Sequence, residues 1–149
     1  MTFEINWLAV FVASLSSFAI GAIWFGPKTL YPVWIRAQGR QVPTERIEMK
    51  WTETLLLFGG TYVGALVQVF TLACVIGLAR MAAPGFSWSL GALFGFAFSV
   101  GLGAFASIGH RLFGQPDMKV YMALKVWIIE VGQDVVAVTV AGAILGAWV

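Results

Sequence analysis

Four long apolar stretches constrain this chain more than any other feature. They run over about residues 5–25, 55–78, 86–108 and 126–149, and each is interrupted by few charges. A helix needs about 20 mainly apolar residues to cross the hydrocarbon core of a bilayer. All four stretches meet that length. A transmembrane β-strand would instead alternate apolar and polar residues over about ten positions. These stretches do not alternate, and they are rich in Gly, Ala and Leu. Composition agrees: 60% of residues are hydrophobic and 11% are charged. A soluble domain carries about a quarter charged residues. One domain of 149 residues cannot hide this much apolar surface from water. The expected fold is an all-α bundle of four transmembrane helices, arranged as two hairpins in a single domain over residues 1–149.

The stops are legible as well. Gly26-Pro27 ends the first span, Arg80 and Pro84 the second, and His110-Arg111 with Pro116 follow the third. The leader carries Glu4 and no Lys or Arg, which argues against a cleaved signal peptide. Residues 26–54 form the one sizeable polar loop. Within it Thr44 is expected to cap a helix, with Glu45 to Lys50 as a polar extension of the second span.

Orientation follows from Lys and Arg, which favour the cytoplasmic side. The first and third loops hold Lys28, Arg36, Arg40, Arg46, Lys50, Arg111, Lys119 and Lys125, against Arg80 alone on the other side. This places loop 26–54 in the cytoplasm and both termini outside, which in a bacterial inner membrane means periplasmic. Trp7, Trp88 and Trp148 fall at the outer ends of spans. Trp24, Trp34, Trp51 and Trp127 fall near the inner ends and are expected at headgroup level.

Lipid removes the hydrophobic drive between helices, so close approach relies on small residues. The third span repeats Gly91, Gly95, Ser99, Gly103 and Ser107 every four positions, a pattern expected to form a buried contact face. The second carries Gly60 and Gly64, and Gln68 continues that face.

The opening Ile5-Asn6-Trp7-Leu8-Ala9-Val10, the segment Gly21-Ala22-Ile23-Trp24-Phe25-Gly26-Pro27, and the closing Gly142-Ala143-Ile144-Leu145-Gly146-Ala147-Trp148 together resemble a bacterial family catalogued as domain of unknown function 1761. The resemblance runs along nearly the whole chain. It implies a four-span membrane protein and implies no activity.

Chemical motifs are scarce. Gly101 to Ala106 matches a relaxed dinucleotide fingerprint, but it lies inside a span with no strand before it. Ala97 to Gly101 approaches a nucleophile elbow without the strand-to-helix turn that motif needs. A single cysteine, Cys74, and a single histidine, His110, leave no metal cluster or disulfide. No cofactor, no metal, no nucleic-acid partner and no enzymatic activity are expected.

The last span is the informative one. Glu130, Gln133 and Asp134 interrupt an apolar run and share a face with Ala123, Ala137 and Ala141. Counted from Val126 at 1.5 Å per residue, Glu130 lies about 6 Å deep and Asp134 about 12 Å. Intramembrane acids face the bundle interior and find partners. With no membrane-embedded cation to neutralise them, the two carboxyls are expected to share a proton as a coupled pair. Their face is expected to pack near Gly60, Gly64 and Gln68, and His110 is within reach of Glu130. The polar set Glu130, Gln133, Asp134, Gln68 and His110 therefore admits two functions. The first is a non-catalytic component of a membrane assembly, either a homo-oligomer or an accessory subunit alongside other membrane proteins in the lipid bilayer. The second is a small proton- or cation-coupled transporter or channel that works through Glu130 and Asp134.

Overall fold

A computed structural model describes residues 4–45, 48–82, 85–114 and 117–148. Among them there is helix and no strand. Four helices are long and apolar enough to cross a membrane: α1 (Trp7–Trp24), α3 (Trp51–Ala82), α4 (Trp88–Phe113) and α5 (Val120–Ala147). A short helix α2 (Tyr31–Ala37) lies in the first loop. The stops assigned to Pro84 and Pro116, the Arg46 charge and Val149 lie outside the described residues.

Local chemistry sets the helix ends. Asn6 caps α1, its Oδ1 accepting from the Ala9 amide at 3.1 Å. At the other end the Thr29 hydroxyl donates to the Trp24 carbonyl at 2.9 Å, so the turn through Gly26-Pro27 is closed by its own side chain. Gly39, with φ +73°, terminates α2 in the left-handed conformation that glycine adopts without a Cβ penalty. The expected cap at Thr44 is not used. Helix α3 begins at Trp51, where the Glu53 carboxylate accepts from the Lys50 amide at 3.1 Å. The remaining described residues of the 45–50 segment are not helical.

Three spans run longer than hydropathy predicts. Helix α4 continues past Ile108 to Phe113, and α5 starts at Val120 rather than Val126. Backbone hydrogen bonds carry a helix onward after its side chains turn polar, so apolar length underestimates helix length. Two π-helical turns interrupt the α geometry, Leu55–Gly59 in α3 and Ser99–Ala104 in α4. Each holds an extra residue relative to an α-turn and rotates everything after it.

Helix α5 is the hub and packs against α1, α3 and α4. Its tightest partner is α4. A Cβ built on Gly91 would fall on the Gly142 carbonyl oxygen and lie 2.8 Å from the Gly146 Cα. One built on Gly95 would strike the Val138 carbonyl oxygen. The two backbones touch, so the expected contact face is real at Gly91, Gly95 and the buried Ser99. It fails at Gly103, where a Cβ would meet nothing within 4 Å. The π turn has moved the face by one residue. Ala104, not Gly103, is buried, and its carbonyl accepts from the Trp127 indole at 3.1 Å.

The core lies at the end of the bundle that carries both termini. Ala9, Val10 and Ala13 of α1 meet Val69, Leu72 and Ile76 of α3 and Val138, Ala141 and Leu145 of α5. Arg80 closes this end. Its guanidinium donates to the carbonyls of Leu145, Gly146 and Trp148 and stacks 5.7 Å over the Phe86 ring. A cation at a helix C-terminus meets both orphan carbonyls and the negative end of the helix dipole. At the opposite end Ile35, Ala37, Ala123, Val126 and Ile129 are also buried, but α3 stands away. Along α3 from Trp51 to Phe58, seven of eight residues are exposed, Thr54 being half-buried.

Candidate intramembrane site

The splayed half of α3 leaves a crevice of about 570 Å³ between α1, α3 and α5. Small and aromatic residues form its walls: Phe18, Gly21 and Phe25 from α1 and the turn after it, and Phe58, Gly64 and Ala65 from α3. Its polar groups are Gln133 and Asp134 from α5, Gln68 and Thr61 from α3, and Ser17 from α1. Ser17 is buried and donates to the Ala137 carbonyl at 3.4 Å. Thr61 donates to the Leu57 carbonyl of its own helix at 2.6 Å. Among the described residues the side chains of Gln68, Gln133 and Asp134 have no hydrogen-bond partner.

Four of the expected residues, Gly64, Gln68, Gln133 and Asp134, therefore meet around one space, though not in the close packing expected of them. Cβ atoms on Gly60 and Gly64 would meet nothing within 4 Å. The glycine face does not admit a neighbouring backbone, and Gly60 is not part of the crevice wall. Small residues permit close approach of two helices but do not enforce it. Across the crevice from Gly64, α5 presents Gln133 and Asp134. The small residue that does matter to Gln133 is on α1: a Cβ on Gly21 would lie 3.4 Å from the Gln133 Nε2.

Glu130 behaves differently from Asp134, and the expectation that no cation reaches the acidic pair fails at Glu130. Glu130 is paired. Arg111 Nη2 sits 2.5 Å from its Oε2, and the Trp34 indole donates to its Oε1 at 3.0 Å. Its side chain keeps 17% of its surface exposed, while Arg111 keeps 42%. The counter-ion escaped the sequence reading because α4 outruns its apolar stretch and carries Arg111 in its last turn. His110 was the residue expected there. In a straight α-helix His110 lies about 20° from the Ser99 face and Arg111 about 120° away, at 100° per residue. The extra residue of the π turn brings Arg111 into the place His110 would have had. His110 is instead exposed and lines a separate shallow hollow with Ala106, Gly109 and Phe113.

The tryptophans of this half are also not simply headgroup anchors. Trp24 donates to the Ile129 carbonyl at 2.9 Å and lies against Gly132, where a Cβ would come within 3.1 Å of its ring. Trp34 reaches Glu130 from α2, steadied by an edge contact with Phe25 at 5.4 Å between ring centroids. Their clustering at one end was visible in the sequence, but the direction of each indole N–H was not. Only Trp51, in this half, is left largely exposed.

Gln68 also faces a second, smaller cavity of about 250 Å³ on the other side of α3, lined by Thr71, Phe98, Ser99, Leu102 and Gly103 among others. Gly103 of the small-residue stripe on α4 thus borders a void rather than a backbone, whereas Ser107 accepts from the Trp127 indole at 3.2 Å. No group of three or more His, Cys, Asp or Glu suited to a metal occurs among the described residues.

A family model described as "Protein of unknown function (DUF1761)" matches residues 8–146. The chain belongs to this family. The DUF1761 match takes in all but the terminal residues Trp7 and Ala147 of the four spans, and every residue of the crevice. No curated protein and no solved structure matches the chain.

Proposed function

We propose that this DUF1761 member is a non-catalytic component of a membrane assembly, and that its working part is the crevice between α1, α3 and α5. Asp134 carries the reading. It sits near the middle of a 28-residue span, is exposed, and has no hydrogen-bond partner among the described residues. An ionisable group at that depth is costly unless it meets a partner. Glu130, one turn away, already has Trp34 and Arg111, so the chain satisfies one acid and leaves the other facing an open space. What completes Asp134 comes from outside the chain: a second copy, another subunit, or a small molecule held by such an assembly. The charge bias of the loops supports a bacterial inner membrane location with periplasmic termini.

Native mass spectrometry after mild extraction tests the reading. Wild-type protein is expected to carry a companion mass, and Ala65→Trp, which fills the crevice, to release it. Finding only the bare 16.1 kDa chain for both would overturn the proposal. For orientation, Ser87→Cys is expected to react with an impermeant thiol reagent in intact cells and Gln41→Cys to stay unlabelled.

The free state of Asp134 also favours a second reading, cation-coupled transport through Asp134 alone rather than through an acidic pair. Reconstituted protein would then show a pH-driven flux that Asp134→Asn abolishes. Flux that survives this substitution would end the second reading.

A further inference from the structure

We propose that the crevice binds a lipophilic monocation, such as an aromatic or alkylated amine or a quaternary onium ion, with Asp134 as its counter-charge. The inference deepens the proposed function by naming what the crevice takes. Three features of the site point to this class. The first is size. At about 570 Å³ the crevice falls within the 300–1,000 Å³ common for small-molecule sites. The second is its walls. Phe18, Phe25 and Phe58 line it, and aromatic rings attract cations as well as offering apolar surface. The third is charge. Among the described lining residues Asp134 is the one ionisable side chain, and the nearest acid, Glu130, is already neutralised by Arg111. Gln68 and Gln133 flank it with amide groups able to orient a polar head. A neutral lipid tail would leave Asp134 unpaired, and an anion would be repelled by it.

The exposed first two turns of α3 supply a route. From Trp51 to Phe58 this helix packs on no other span, so a hydrophobic cation dissolved in the bilayer meets no wall between lipid and crevice.

The test uses full-length protein in lipid nanodiscs and two ions of matched shape and opposite charge, radiolabelled tetraphenylphosphonium and unlabelled tetraphenylborate. Saturable binding of tetraphenylphosphonium is expected, with tetraphenylborate failing to compete. Asp134→Asn, which keeps the shape and removes the charge, should weaken it about tenfold or more, and Asp134→Glu should retain it. Ala65→Trp should abolish it. Equal competition by the borate in the wild-type protein would overturn the inference, whether or not Asp134→Asn folds. So would undiminished binding by a folded Asp134→Asn protein, or no saturable binding by the wild type. A companion mass released by Ala65→Trp, with no phosphonium binding, would overturn this inference and leave the proposed function standing.

Discussion

Two glycine faces of this protein carry the same spacing and meet opposite fates. On α4, Gly91 and Gly95 press directly on the α5 backbone. On α3, Gly60 and Gly64 have nothing within 4 Å of where a Cβ would stand. The difference lies in the partner. Opposite Gly91, α5 offers Gly142 and Gly146, and a Cβ on either of these would in turn strike the α4 backbone. Opposite Gly64 it offers an amide and a carboxylate. Small residues every four positions mark where backbones are able to approach. On α4 they do so, at Gly91 against two glycines and at Gly95 against the backbone of Val138 and Thr139, whereas on α3 the same spacing borders a cavity.

The largest expected effect sharpens this contrast. Gly95→Leu should destabilise the bundle by about 3 kcal/mol or more, because the added side chain must displace backbone rather than a flexible neighbour. Thermal unfolding in mild detergent, followed by circular dichroism, reads the loss. A melting temperature equal to wild type would dissolve the distinction between the two faces.

A somewhat smaller effect locates the face after the π turn. Ala104→Leu should cost about 1–3 kcal/mol, since Ala104 is buried beneath the Trp127 indole, whereas Gly103→Leu should be close to neutral. The reverse order in the same unfolding assay would place the contact face where a straight helix puts it.

Smaller again is the latch at the loop end. Glu130→Gln should cost about 1 kcal/mol, given that Arg111 is partly exposed and its attraction is screened. Trp34→Phe, which removes the indole donor and keeps a ring, should cost a similar amount. If the two act through one network, the double variant should lose less than the sum of the single losses.

The smallest effect belongs to the open face. Gly64→Leu should leave stability within about 0.5 kcal/mol of wild type, as for other sites free of contacts. It should nonetheless slow the labelling of Gln133→Cys by a membrane-permeant maleimide, because the new side chain enters the crevice. A stability loss matching that of Gly95→Leu would show that the α3 face is packed after all.

What the sequence revealed and what it hid divide along a physical line. Apolar length is a property of single segments, so four spans were legible from composition alone. The polar set on α5 was legible for the same reason: acids in an apolar run are costly wherever they point. Rotation about a helix axis is another matter, because it accumulates error. One extra residue in the π turn of α4 exchanged His110 for Arg111 and Gly103 for Ala104, and no feature of residues 99–104 signals that turn in advance. The reach of a helix beyond its apolar stretch was hidden too, which is why the cation beside Glu130 was missed. The inward aim of Trp24 and Trp34 depends on where a carbonyl and a carboxylate lie in space, information that position along the chain does not contain.

The hub position of α5 has a consequence in time. A chain emerging from the ribosome at about 5–20 residues per second delivers this helix after the other three spans. For some seconds α1, α3 and α4 sit in the bilayer without the element they all pack against. During that interval Gly91 and Gly95 face lipid, Arg80 has no helix end to hold, and Glu130 has not yet arrived to take its place between Trp34 and Arg111. The contacts that α5 makes with the other three spans are thus formed together, and only once the fourth span has arrived.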